Sequence, residues 1–204
     1  MGKTLVEGKT KAERTKERIF QSALTLFRQN GFERVTVEDI TNFAGISKGS
    51  FYTYFSTKSD IIVEEFWTID SYYRSIEPQI HTCSSASEKL LKFTELQMLY
   101  VRDTIGCDML KILYANQVLQ EGSDKVIVDR SRFWHTFIAQ IIEEGQVMGE
   151  FAGYPDSEQM AIFFNRAMRG MLLDWNISSA SFDLVEASLN YCKQFVMPGI
   201  LTRT

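Results

Sequence analysis

The stretch Gly45-Ile46-Ser47-Lys48-Gly49-Ser50-Phe51-Tyr52-Thr53-Tyr54-Phe55 decides the fold of the amino-terminal part of the chain. Just before it, Thr36-Val37-Glu38-Asp39-Ile40 carries a hydroxyl followed three residues later by an acid, the capping-box pattern that fixes a helix start. The short helix it opens, about 37–44, is expected to bury Ile40, Phe43 and Ala44. Gly45 then stands where the chain must turn sharply, at a positive φ that glycine adopts most cheaply. Ile46 would pack inside that turn. Ser47 caps a second helix, about 48–54, and Phe51 and Phe55, four apart, lie on its inward face. Lys48, Gly49, Ser50, Tyr52 and Tyr54 are thereby left for other surfaces. Two short helices joined by a three-to-four-residue glycine turn make a helix-turn-helix, and its second helix has the size of the DNA major groove.

Outward from this unit the chain reads as helical almost throughout. Proline occurs only at 78, 155 and 198, and no alternating apolar-polar run is bounded by hairpin turn residues. The expected fold is all-α with about nine helices. The first spans about 11–30, with Ile19, Ala23, Leu26 and Phe27 on one face and Gly31 as its stop. The fourth runs from near Lys58 to Glu77, where Pro78 is expected to end it, long enough to leave the head and enter a body. Further helices are expected at about 87–103, 106–120, 124–148, 156–177 and 182–196, so that residues 1–57 form a DNA-binding head and 58–204 a helical-bundle body.

The net charge of −4 is unevenly spread. Residues 1–60 carry ten Lys and Arg against seven Asp and Glu, whereas residues 61–204 carry twelve against nineteen, so only the head suits phosphates. Cys83, Cys107 and Cys192 are odd in number and lack metal-ligand spacing, which supports neither a disulfide framework nor a metal site and suits a reducing cytoplasm. The polar, charged start lacks a signal-peptide core, and no apolar run approaches the ~20 residues of a membrane span.

From Gly45 to Ile61 the sequence resembles the signature of the tetracycline-repressor (TetR) family, and the likeness extends over about residues 14–61 through Gly31-Phe32 and Thr36-Val37-x-Asp39-Ile40. The rest is similar to the family only in length and helical layout. The resemblance implies that Thr36, Ser47, Tyr52, Tyr54 and Lys58 contact phosphates of a double-stranded DNA operator, while Lys48, Gly49 and Ser50 face base edges. Phe51 departs from the commoner leucine, a change that a core tolerates.

Two of these positions also carry a physical argument. Lys48 and Lys58 each open a helix, where the macrodipole disfavours a cation by a few tenths of a kcal/mol up to ~1. A phosphate at the helix N-terminus would remove that conflict by pairing with the lysine and the free amides. Thr36 already has a complete explanation as a cap, and the close approach of Gly49 to a base pair follows from the resemblance alone.

The body holds most of the aromatic and sulfur residues, which make adaptable walls for apolar ligands. Met98, Tyr114, Trp134, Phe137 and Met168 lie mid-helix and are the expected pocket wall, with Asp103, Asp108, His135 and Arg166 as polar groups that could orient a ligand. A sensor of this kind predicts a cavity of several hundred Å3. Phe163, Phe164, Ala167, Met171, Leu184, Ala187, Tyr191 and Phe195 give the last two helices apolar stripes wider than one core face needs, the expected dimer interface. The resemblance likewise implies a four-helix interface, two helices from each subunit.

The expected function is a homodimeric repressor that binds a near-palindromic operator and is released by a small, apolar or aromatic effector, with the fourth helix, bearing Trp67, Tyr72 and Tyr73, as the coupling element. The alternative is a DNA-binding regulator controlled by a protein partner without a small-molecule ligand, which a fully packed bundle centre would favour. No cofactor is implied. No phosphate loop, paired catalytic carboxylates or nucleophile-base set points to an enzyme.

Overall fold

The structure, a computed structural model, describes residues 10–119 and 125–202. Its helices run in the order α1 (Lys11–Asn30), α2 (Val37–Ala44), α3 (Lys48–Tyr54), α4 (Lys58–Ile80), α5 (Ala86–Tyr100), α6 (Gly106–Leu119), α7 (Phe133–Val147), α8 (Ser157–Ile177), α9 (Leu184–Tyr191) and the single turn α10 (Met197–Ile200). Five-residue π-helical segments, Val101–Ile105 and Cys192–Val196, join α5 to α6 and α9 to α10. Among the described residues the only extended pairing is an isolated bridge between Phe151 and Leu201, so the all-α expectation holds. None of the described helices is long and apolar enough to cross a membrane.

The chain divides into two compact units, up to Glu65 and from Phe66, the division falling within α4. In the first unit the helix starts are fixed by their caps. Thr10 and Glu13 close a capping box on α1, as Thr36 and Asp39 do on α2, each pair satisfying two otherwise orphaned amides. Ile19, Ala23, Ile40, Phe51, Ile61 and Ile62 are fully or almost fully buried and form the small core. Phe43 is a correction: it is 59% exposed, and Thr41 is buried in its place. The buried arc of α2 passes through Ile40, Ala44 and Thr41, about 100° wide, and position 43 falls some 60° outside it.

The second unit is built around α5, α7 and α8, with α7 packed on α8 and α5 against both α7 and α9. Phe137 sits at its aromatic centre, stacked on Phe133 at 5.2 Å and edge-on to Phe93 at 5.4 Å. Gly145 lets Phe151 lie on the α7 backbone, since a Cβ there would run into the Phe151 ring. Two expected boundaries move. Pro78 does not stop α4, which continues to the buried Ile80. Proline in the last turn forfeits one helix bond, and His81 N–H resumes the ladder on Glu77 O at 3.1 Å.

The helix expected over 124–148 begins only at Phe133. The Asp129 carboxylate accepts from both the amide and the hydroxyl of Ser131, at 2.8 and 2.7 Å, and so holds the preceding segment in a turn. The expected start at 124, and the expected end of the previous helix at 120, lie outside the described residues.

Candidate nucleic-acid interface and body cavities

Gly45 occupies the left-handed region at φ 63°, ψ 45°, and its amide returns to the last carbonyls of α2, so the chain leaves α2 and turns at once into α3. Ser47 Oγ accepts from Ser50 N–H at 3.1 Å and fixes the start of α3. With Phe51 and Phe55 buried, the remaining positions face out: Lys48 and Gly49 are exposed, Ser50 and Tyr54 half-buried, and Tyr52 is 57% exposed. Thr36, also exposed, has its hydroxyl engaged by Asp39, from whose amide it accepts and to whose carboxylate it donates at 2.7 Å. That bonding holds the Asp39 carboxyl below the usual carboxylate range, through the Thr36 side chain first and its amide second.

The two lysines differ. Lys48 Nζ reaches Glu38 Oε2 across the turn at 2.8 Å, both side chains well exposed, and this partner raises the lysine pKa through its hydrogen bond and then its charge. A surface pair of this kind exchanges readily for a phosphate. Lys58, expected to contact a phosphate, is already engaged within the head. Its ammonium donates to Phe32 O at 2.7 Å and Val35 O at 2.9 Å and lies 4.2 Å from the centre of the Phe32 ring. The conflict with the helix dipole is thus answered inside the protein, by carbonyls of the loop before α2.

In the body, Arg132 is buried at the start of α7. Its guanidinium clasps Asp70 of α4 at 2.9 and 3.1 Å and donates to the carbonyls of Phe66 and Val126 at 2.6 and 3.2 Å. Beside it lies an inner chamber of about 60 Å3, walled by Tyr114, Trp134 and Met168 together with Phe66, Ile69 and Tyr73 of α4. This is room for about two water molecules, well short of a ready-made pocket of several hundred Å3. Met98 and Phe137, also expected on the wall, are not there. Met98 is fully buried in α5, and Phe137 is consumed by its ring contacts with Phe93 and Phe133.

Four polar residues of this chamber were not anticipated from the sequence: Gln97, Arg132, Asn165 and Arg169. Gln97 and Asn165 interrupt apolar helical stripes, which is the signal that could have found them; nothing local marks Arg132. An outer chamber of about 140 Å3 shares Trp134, Asn165 and Arg169 with the inner one and adds Arg130, His135 and Arg166. Of the other polar candidates, Asp103 instead pairs with Arg102 at 2.7 Å and Asp108 is exposed. Burial raises the Tyr114 hydroxyl to about 12, against a smaller opposing pull from Arg169.

The expected interface helices carry an apolar groove of about 310 Å3 bordered by Phe163, Ala167, Tyr191 and Phe195. Phe163 is 51% and Phe195 67% exposed, and Met171 and Ala187 are half-buried. Two members of the expected interface are corrected: Leu184 is fully buried within its own subunit, and Phe164, though it edges the groove, is nearly so. Both belong to the core of α8 and α9.

Residues 19–64 match the family described as "Bacterial regulatory proteins, tetR family". Over 193 residues the chain is 24% identical to the "Probable acrEF/envCD operon repressor" of Escherichia coli (strain K12), covering 86% of this chain and 83% of that one. It is 23% identical over 197 residues to the HTH-type transcriptional regulator TtgR of Pseudomonas putida, covering 87% of each. Among solved structures, FadR of Thermus thermophilus, a TetR-family transcriptional repressor in complex with lauroyl-CoA, superposes with a TM-score of 0.71 at 21% identity, over 93% of this chain and 96% of that one.

Proposed function

We propose that the chain, whose residues 19–64 match the tetR family, is a DNA-binding transcriptional regulator that acts as a homodimeric repressor released from its operator by a small molecule entering the body. The observation that carries the reading is the outward side of α3: Lys48, Gly49 and Tyr52 lie exposed and Ser50 and Tyr54 half-buried, with both phenylalanines turned inward. Lys48, Gly49 and Ser50 read base edges. Thr36, Ser47, Tyr52 and Tyr54 hold phosphates and fix the register, and Lys58 braces the loop that presents them.

The second copy covers the groove of α8 and α9. Exposed Phe163 and Phe195 on one apolar face are what a two-fold, self-complementary contact would bury. Release follows from α4, which runs from Lys58 in the head to Ile80 and lends Phe66, Ile69 and Tyr73 to the inner chamber. A ligand that needs a wider chamber pushes on these side chains and favours a conformation in which the paired heads no longer match successive major grooves. It works only through its different affinity for the two states. FadR, solved with lauroyl-CoA, offers a precedent for a ligand on this fold.

Selection of binding sites from random DNA duplexes with the full chain tests the reading. The expected outcome is a near-palindrome whose half-site centres lie about 34–36 Å apart, lost in the Lys48→Ala, Tyr52→Ala double variant. Failure to enrich any sequence would overturn it.

A further inference from the structure

The walls of the two chambers ask for two different kinds of partner. Gln97 and Asn165 are only 6% and 1% exposed, and in each the amide oxygen lies buried without a hydrogen-bond partner. For Asn165 the orientation is set by its neighbours. His135 Nε2 stands 2.9 Å from Glu158 Oε1, an acceptor, and so carries the hydrogen of that contact. In the tautomer that carries its hydrogen on Nε2, His135 Nδ1 accepts the Asn165 N–H at 2.7 Å and leaves the Asn165 oxygen free. Asn165 Oδ1 is then an acceptor in search of a donor on the wall of an apolar chamber, and on the same wall Gln97, whose side chain meets the Tyr73 hydroxyl, keeps its Oε1 unpaired. A buried polar atom left unpaired costs about 1–3 kcal/mol, so a ligand hydroxyl that reaches one of them is selected over a hydrocarbon.

The outer chamber asks for the opposite. Arg130, Arg166 and Arg169 border it, and among the described residues none of the three has a carboxylate within ion-pair distance. Asp129, its one acid, is already turned onto Ser131. Arg169 is half-buried and donates from Nη1 to Ile127 O at 3.2 Å, a single neutral acceptor for a five-donor fork. Desolvation first, and Arg166 to a lesser degree, make its charge costly, with Tyr114 pulling the other way. A planar anion would relieve both arginines.

Resting on the reading of the body as a sensor, we propose that the two chambers are one site for a small hydroxy acid on an apolar, ring-sized frame. Its hydroxyl donates to Gln97 Oε1 or Asn165 Oδ1, its ring lies against Trp134 and Met168, and its carboxylate is held by Arg169 and Arg166. Trp134, Asn165 and Arg169 line both chambers, which therefore lie side by side.

Isothermal titration of the full chain with 4-hydroxybenzoate, benzoate and 4-hydroxybenzyl alcohol tests the site. 4-Hydroxybenzoate is expected to bind at least about tenfold more tightly than either the probe lacking the donor or the probe lacking the charge. Arg169→Gln should erase the advantage over the alcohol, and Gln97→Met, Asn165→Leu the advantage over benzoate. Because the three probes are compared on the unaltered chain, a variant that fails to fold does not rescue the idea. Equal affinities, or no binding of any probe up to about 10 mM, overturn it, the chambers then holding water only. Operator binding is read separately: a chain that binds DNA and no probe sinks this site and spares the regulator, and a chain that binds 4-hydroxybenzoate without any change in DNA affinity spares the site and sinks effector release.

Discussion

Arg132 at the head of α7 grips Asp70 on α4 through its Nε and Nη2, and the same group ties down the carbonyls of Phe66 and Val126. Both partners are largely buried, so the pair has no solvent to fall back on. It joins the helix that leaves the head to the wall of the inner chamber.

Arg132→Met should therefore destabilise the body by about 3–5 kcal/mol, because Asp70 would be left as a buried charge without its partner. For a chain of this size that is a fall in melting temperature of about 6–20 °C. The double variant Arg132→Met, Asp70→Leu should recover most of the loss. Thermal unfolding followed by circular dichroism measures both, and equal losses in the single and double variants would contradict the account.

Lys48 and Lys58 should separate into two kinds of residue. Lys58→Met removes two charge-assisted bonds to backbone carbonyls and a contact with the Phe32 ring, so the head should lose about 2–3 kcal/mol while the salt dependence of DNA binding keeps its slope. Lys48→Ala breaks only an exposed pair and should leave the melting curve unmoved. Its effect belongs to binding, as a relaxed base preference at one position of each half-site, with any phosphate share seen as a slope smaller by about one. Fluorescence anisotropy across a salt series would show a reversed pattern if Lys58 were the free phosphate ligand.

The apolar groove of α8 and α9 predicts the oligomer. Phe163→Asp with Phe195→Asp should convert a dimer to a folded monomer that binds a single half-site weakly, as sedimentation velocity would show. Phe164→Ala is the contrasting control. Its ring is buried in its own subunit, so it should cost about 3–5 kcal/mol of stability instead. A dimer that survives both aspartates would refute the groove as the interface.

Acid should loosen the start of α5. Burial pulls the Glu150 carboxyl upward, but the neighbouring Ser87 hydroxyl and the hydrogen bonds donated by the Ser87 and Ala86 amides outweigh it and hold the group below the usual carboxylate range. A depressed folded-state value means that the stabilisation is complete above the unfolded pKa and is lost as pH falls through the folded one. Glu150→Gln should thus lower stability at neutral pH and flatten the decline on the acid side. Denaturant unfolding from pH 7 down to about 3 would expose an unchanged slope if the carboxylate played no part.

Features that a few neighbouring residues settle were legible in the chain before it was folded. Thr36 with Asp39 starts α2, Gly45 turns the chain, Ser47 starts α3, and Phe51 and Phe55 choose its inward face. Caps and helical periodicity act over three or four residues, so the head could be read down to which positions of α3 stay open. Phe43 was misread because one step of about 100° separates a buried from an exposed position on so short a helix. Long-range packing, by contrast, set the partners of Lys58, which lie 26 and 23 residues away, and the pairing of Arg132 with Asp70, 62 residues distant. It also put Met98 and Phe137 in the core and turned Gln97 and Asn165 toward a chamber. A side chain's type limits what it can bond, but only the packed chain brings the other half of the bond within reach, and long-range closure leaves no local trace in sequence.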